Sequence, residues 1–156
     1  AVRAHVPDAR VVVVGPERSS PQALYTRETP PGGGPVPALR AGLRYVRAPR
    51  LALLAADLPH LAAVHLAALD EAARRTPGAV FVDDVGHEQW LTGVWHTETV
   101  RTALAAYRRR SLHGLLGPLG PRRLRPEDEN VVFDCDTPED LARARAALGP
   151  RPGRNG

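Results

Sequence analysis

Apolar runs alternate with amphipathic segments along the chain, and this pattern predicts strands and helices in turn. Buried strands are predicted over residues 10–15, 51–56 and 78–82, and further strands over 23–27, 89–95, 122–125 and 130–134. The spacing in residues 62–75 predicts an amphipathic helix with Val64, Leu66 and Leu69 facing inward. Further helices are predicted over residues 38–46, about 97–109, a short stretch after Ser111, and 139–148. The alternation predicts an α/β domain with a mainly parallel, layered sheet.

Length and composition indicate how many domains the chain forms, what its core consists of and which cellular compartment it fits. The 156 residues form one domain by length, predicted over residues 1–149 with a disordered tail over 150–156. Aromatic residues make up only 4% of the chain, so the core must consist of Leu, Val and Ala. The single cysteine, Cys135, excludes an intramolecular disulfide and fits a reducing cytoplasm. No apolar run reaches the roughly 20 residues that span a bilayer.

The net charge of +4 is carried by arginine alone, because the sequence contains no lysine. The arginines are scattered, with small clusters at residues 108–110 and 122–125, and few aromatic residues lie between them. This distribution disfavours a nucleic-acid partner, which stacks its bases on aromatic side chains. An anionic small molecule explains the charge equally well, and arginine usage also follows genome composition. We expect a monomer or a weak homo-oligomer.

One carboxylate, Asp57, stands at the end of the buried strand predicted over residues 51–56. Pro59 then prevents further strand pairing. Open α/β folds bind their ligands at the carboxyl ends of strands, which makes Asp57 a candidate ligand-binding residue. The alternative is that Asp57 only caps the turn or helix that follows.

A second acidic strand end carries Asp134 and Asp136, just before the helix predicted over residues 139–148. In an extended segment these two side chains share a face. Carboxylates from separate strand ends can hold Mg²⁺, which takes oxygen ligands and keeps substrate phosphates in its shell. The alternative is that both carboxylates only interact with the helix dipole.

Two further segments carry weaker signals. Gly33, Gly34 and Pro35 lie in a glycine-rich loop before a predicted helix, where the backbone can approach a ligand and the helix N-terminus favours anions. Such a loop can equally be a flexible linker. Gln89 and Trp90 place an amide and an aromatic ring beside Gly93 and could line a substrate pocket, or Trp90 could belong to the core.

Five segments in order resemble the MobA-like nucleotidyltransferase family. They are VVVVGP, PPGGGPVPALRAGL, LLAADLPHL, QWLTGVW and FDCDTPEDLARAR, which together extend from about residue 11 to 148. The resemblance implies a Rossmann-like, three-layer α/β/α fold. It also implies Mg²⁺-dependent transfer of a nucleotidyl group from a nucleoside triphosphate to a phosphorylated acceptor, with release of pyrophosphate. In the family's type member the donor is GTP and the acceptor is molybdopterin.

The resemblance also implies roles for individual residues. Asp57 matches the metal-binding and catalytic carboxylate, with Asp136 as a second metal ligand. The loop of Gly33, Gly34 and Pro35 lies near the base and ribose of the nucleotide. The substrate-binding set comprises Pro59, Gln89, Trp90 and Asp134. The positions of Asp134 and Asp136 are often Asn in the family's GTP-dependent type member. The chain could therefore instead be a related CTP- or GTP-dependent transferase that acts on another phosphorylated acceptor.

The chain departs from the family pattern at its start. The family opens with a strand, a glycine-rich Arg-x-Gly-x-x-Lys loop that cradles the triphosphate, and a helix. This sequence has no such loop, and residues 1–8 resemble the end of that helix. We therefore expect a domain without its N-terminal βα unit, with exposed sheet edges. Either the sequence is a fragment or a truncated gene model of an enzyme, or the chain is a non-catalytic remnant that keeps the fold.

Overall fold

The computed structural model of the protein describes residues 1–127, which form a mixed α/β structure. Its helices are α1 (Val2–His5), α2 (Pro35–Leu43), α3 (Ala63–Ala73), α4 (Thr97–Ala106) and α5 (Leu112–Leu116), followed by a 3₁₀ turn over Gly117–Leu119. Its strands are β1 (Val12–Val14), β2 (Leu24–Thr26), β3 (Arg50–Leu54), β4 (Gly78–Val82), β5 (Glu88–His96) and β6 (Arg122–Leu124). No helix within residues 1–127 is long and apolar enough to cross a membrane.

The strands form two separate sheets. β1 and β2 make a parallel pair, and the other four strands form a sheet in the order β3-β5-β4-β6. β3, β4 and β6 run in one direction, whereas β5 is antiparallel to both of its neighbours. The α/β fold with mainly co-directional strands is thus confirmed. The insertion of β5 makes the sheet mixed, because the short turn after β4 returns the chain antiparallel.

Helices cover both faces of the four-stranded sheet. On one face, α2, α4 and α5 pack against the buried residues Val80 and Trp95. On the other face, Leu69 and Ala73 of α3 pack against Phe81. The predicted three-layer α/β/α arrangement is therefore present. α2 also contacts β1, so this helix bridges the two sheets.

Two of the predicted buried strands are only half-buried. β3 forms an edge of its sheet within the described residues, and Ala52 in its middle is exposed. All three residues of β1 are half-buried. The third, β4, is buried at every position because β5 and β6 flank it and helices cover both of its faces. Apolar sequence alone therefore does not distinguish an edge strand from a central one.

Some predicted helix details were wrong. Val64 was expected to face inward, but it is 67% exposed, while Leu66 and Leu69 are buried as predicted. α2 begins at Pro35 rather than at residue 38. Proline is tolerated in a first helical turn, because the N–H groups of that turn make no intrahelical hydrogen bonds. The strand predicted over 130–134 and the helix over 139–148 lie outside the described residues, together with Cys135 and the predicted tail.

Candidate functional site

Asp57 lies in an exposed turn just beyond the carboxyl end of β3. Its carboxylate makes no hydrogen bond or ion pair with any other side chain or backbone group of residues 1–127. The capping alternative fails, because α3 begins only at Ala63, and the Ala62 N–H donates to Nδ1 of His65. Among the described residues, Asp57 therefore has no protein partner. Pro59, in the same turn, is half-buried.

The beginning of β5 lies beside Asp57. Leu54 pairs with Thr92, and the Ala55 N–H donates to the Leu91 carbonyl at 2.8 Å. Because β5 runs antiparallel to β3, its first residues lie at the edge where β3 ends. Gln89 and Trp90 are therefore brought to the same edge of the sheet as Asp57.

Trp90 packs partly into the core. Its ring stacks on Trp95 with centroids 6.3 Å apart, and His113 contacts it edge-on at 5.6 Å. Residues five apart in a regular strand would face opposite sides. A register shift in the β4–β5 pairing, between Val80 and Val82, brings the two tryptophans to one face. Trp90 is half-buried, so it has a packing role and still presents surface at the site edge.

Asp83 was missed by the sequence analysis as a residue of this edge. It follows β4 as Asp57 follows β3, and the two strands run in the same direction. Its Oδ1 accepts from the His87 N–H at 2.8 Å, and its Oδ2 accepts from Nε2 of Gln89 at 3.1 Å. The hydrogen bond from His87 lowers the pKa of Asp83. A carboxylate directly after an apolar run was the sequence signal that could have identified Asp83 as a residue of this edge. Its hydrogen bonds show that it stabilises the turn and positions Gln89.

The glycine-rich loop before α2 is closed by its own carboxylate. Oε1 of Glu28 accepts from the Gly32 N–H at 2.8 Å, and hydrogen bonds from backbone N–H groups, led by that of Glu28 itself, lower the pKa of Glu28. A Cβ on Gly33 would lie 3.1 Å from Cβ of Pro37, so this position favours glycine. Gly34 has a φ of 93°, which side chains rarely adopt. The loop therefore has a defined, hydrogen-bonded shape.

The N-terminus of α2 offers few backbone amides to a phosphate. Pro35 and Pro37 both lack an N–H, and the Ala38 N–H donates to the Gly34 carbonyl at 3.1 Å. Val36 is then the one residue of the first helical turn with an uncommitted amide. This geometry suits close approach of a flat group to the glycine backbone better than it suits a phosphate.

The described part of the site offers the exposed carboxylate of Asp57 for a metal ion, and Asp84, in the turn after β4, is a second exposed carboxylate. Residues 1–127 hold no group of three or more His, Cys, Asp or Glu side chains arranged around a common centre. Mg²⁺ is commonly bound by one or two carboxylates together with substrate phosphates, so the exposed Asp57 fits such a partner. Asp134 and Asp136 lie outside the described residues, and their assignments stay predictions.

These features define an α/β protein in which an exposed carboxylate and an aromatic ring lie where β3 ends, with a hydrogen-bonded glycine loop before α2. The sequence profile of the MobA-like NTP transferase domain matches residues 1–126. The chain therefore belongs to the MobA-like NTP transferase family, whose members are nucleotidyltransferases. No curated protein matches the sequence.

Solved structures share this fold at low sequence identity. Molybdopterin-guanine dinucleotide biosynthesis protein A from Archaeoglobus fulgidus superposes with a TM-score of 0.70 and 18% identity, covering 94% of this chain and 83% of its own. The 2-C-methyl-D-erythritol 4-phosphate cytidylyltransferase from Thermus thermophilus gives a TM-score of 0.67 and 19% identity, covering 94% of this chain and 85% of its own. At such identities the likeness defines the fold alone.

Proposed function

We propose that this protein transfers a nucleotidyl group from a nucleoside triphosphate to a phosphorylated small molecule, with release of pyrophosphate. GTP as donor and a molybdopterin-like acceptor are the favoured pair. The observation that carries the proposal is the exposed carboxylate of Asp57 just beyond β3, which has no partner among residues 1–127, in a chain of the MobA-like family. An exposed carboxylate without protein partners is available to a cation, whereas a structural carboxylate has its oxygens satisfied.

The chain's own residues act by positioning and charge. Asp57, with Asp136 as the proposed second ligand, would hold Mg²⁺, which supplies charge neutralisation for the donor phosphates when bound. The backbone at Gly33 and Gly34 lets the nucleotide base and ribose approach closely. Trp90 and Gln89, with Pro59 and Asp134, orient the acceptor so that its phosphate oxygen faces the α-phosphorus. No covalent intermediate with a protein side chain is needed.

A second candidate is a non-catalytic member of the family. The first turn of α2 offers few amides to a phosphate, because Pro35 and Pro37 lack an N–H. This feature favours weak triphosphate binding by that helix. A third candidate keeps the chemistry but uses CTP with another acceptor, such as 2-C-methyl-D-erythritol 4-phosphate, the substrate in the name of the Thermus neighbour.

Binding of GTP and CTP, measured by calorimetry with and without Mg²⁺, separates these candidates. We expect Mg²⁺-dependent binding of GTP that Asp57→Asn weakens by at least about a hundredfold, as befits loss of a direct metal ligand. Asp84→Asn is the matched control, since Asp84 is an exposed carboxylate in the turn after β4. Equal binding by wild type and Asp57→Asn would refute the metal assignment, and no nucleotide binding would favour the non-catalytic candidate. Pyrophosphate release with each donor and acceptor pair then identifies the reaction.

A further inference from the structure

A cavity of about 490 Å³, widely open to solvent, lies between α3 and β6. It is lined by Ala68, Glu71, Ala72, Arg75, Thr76, Arg122, Arg123 and Leu124. Arg75 and Thr76 precede the amino end of β4, and Arg122 begins β6. Asp57 instead follows the carboxyl end of β3, which lies three strands away in the same sheet. The cavity is therefore separate from the candidate nucleotide site.

The charge lining this cavity is predominantly positive. Glu71, the carboxylate on its wall, already pairs with Arg74 at 2.9 Å. Arg123 donates from Nε to Oε1 of Glu88 at 2.8 Å, which directs its guanidinium partly away. Arg75 and Arg122 make no hydrogen bond or ion pair with other side chains of residues 1–127. Two guanidinium groups that have no partner among residues 1–127 thus line the cavity, one from the turn after α3 and one from β6.

The shape of the cavity follows from small side chains on α3. Ala68 and Ala72 are four residues apart and share one face of α3, and Arg75 lies in the turn just beyond the end of this helix. The apolar side chain of Leu124 belongs to the same lining.

We propose that this cavity binds a small molecule carrying a phosphate group, held between Arg75 and Arg122. The planar guanidinium presents paired N–H donors that match phosphate oxygens, so two arginines that line one open cavity can both bind the same anion. The small Ala68 and Ala72 side chains leave room for the rest of such a ligand. This site is independent of the proposed transfer reaction.

Calorimetric titration of the full chain with inorganic phosphate, at constant ionic strength, tests the site. We expect Arg75→Gln with Arg122→Gln to weaken phosphate binding by at least about tenfold, because two sets of charge-assisted hydrogen bonds are lost. Arg109→Gln with Arg110→Gln removes the same charge from an exposed loop and should bind as wild type does. Asp57→Asn should also bind phosphate normally, which separates this site from the nucleotide site.

A second variant tests location without changing charge. Ala68→Leu fills the cavity and should weaken phosphate binding even though every arginine remains. Absence of phosphate binding by the wild type would overturn the proposal. Equal losses in the two arginine double variants would also overturn it, because they would indicate general attraction to a basic protein. Unchanged binding by Ala68→Leu would place the anion elsewhere and have the same consequence.

Discussion

Substitution of Gly93 by alanine tests how Trp95 is held beneath the site. Trp95 is fully buried, and its ring supports Trp90. The Nε1 of Trp95 is also buried and has no hydrogen-bond partner among residues 1–127, so packing alone fixes the indole there. Any atom added at residue 93 must therefore displace the indole or the sheet backbone.

The loss of stability caused by Gly93→Ala follows from the contacts of the added methyl group. A Cβ at residue 93 would lie 2.8 Å from Nε1 of Trp95 and 2.9 Å from the Ala79 carbonyl oxygen, both closer than real Cβ contacts. Overpacking a rigid core costs about 1–3 kcal/mol, and the backbone contact favours the upper end. A loss of about 3 kcal/mol corresponds to a fall in Tm of about 6–12 °C for a domain of this size.

Thermal and urea unfolding, followed by tryptophan fluorescence, measure this loss. Gly15→Ala is the matched control, because no atom lies within 4 Å of its added Cβ, and it should change stability by no more than about 0.5 kcal/mol. In a Trp95→Leu background the cost of Gly93→Ala should shrink by at least about 1 kcal/mol, since the two sites are coupled through the indole. An equal effect of Gly93→Ala and Gly15→Ala, or no coupling, would refute the reasoning.

Two further predictions concern stability. Arg123→Gln removes the hydrogen bond that is the largest cause of the lowered pKa of Glu88, whose ordinary value is 4.5. A carboxyl group whose pKa is lowered in the folded state stabilises the fold at pH values above its unfolded-state pKa. Arg123→Gln should therefore have a lower free energy of unfolding than wild type at neutral pH in urea titrations, and the difference should shrink below about pH 4.5. A difference in unfolding free energy that does not vary with pH would contradict this. Leu69→Ala should cost about 2–5 kcal/mol, because Leu69 is fully buried. Val64→Ala on the exposed face should cost at most about 0.5 kcal/mol, and similar losses in both variants would contradict the observed orientation of α3.

Much of the candidate site was predictable because its signals are local. A single carboxylate after an apolar run identified Asp57, and the structure places it exposed at the carboxyl end of β3. The Asp83 carboxylate follows an equally clear apolar run, Gly78–Val82. What separates the two is their hydrogen bonding, since Asp83 is engaged by His87 and Gln89 while Asp57 is free among the described residues. Such pairing depends on the geometry of the hairpin.

The sequence by itself determined the α/β class, the bounds of β4 and the cap of α5. β4 is apolar throughout and β-branched in part, and Ser111 accepts from the Gly114 N–H at 3.2 Å as its position before the helix predicts. These features depend on residues within one or two turns of each other. The residues at neighbouring positions are therefore enough to predict these features.

Only the tertiary structure decided which strands lie at an edge and what the site residues face. β3 and β4 are both apolar, yet β3 is half-buried and β4 is fully buried, since burial depends on which strands flank them. The register shift in β5 brings Trp90 onto Trp95, and the position of β6 beside α3 creates the arginine-lined cavity. Each of these outcomes requires contacts between residues distant in sequence, which local patterns do not encode.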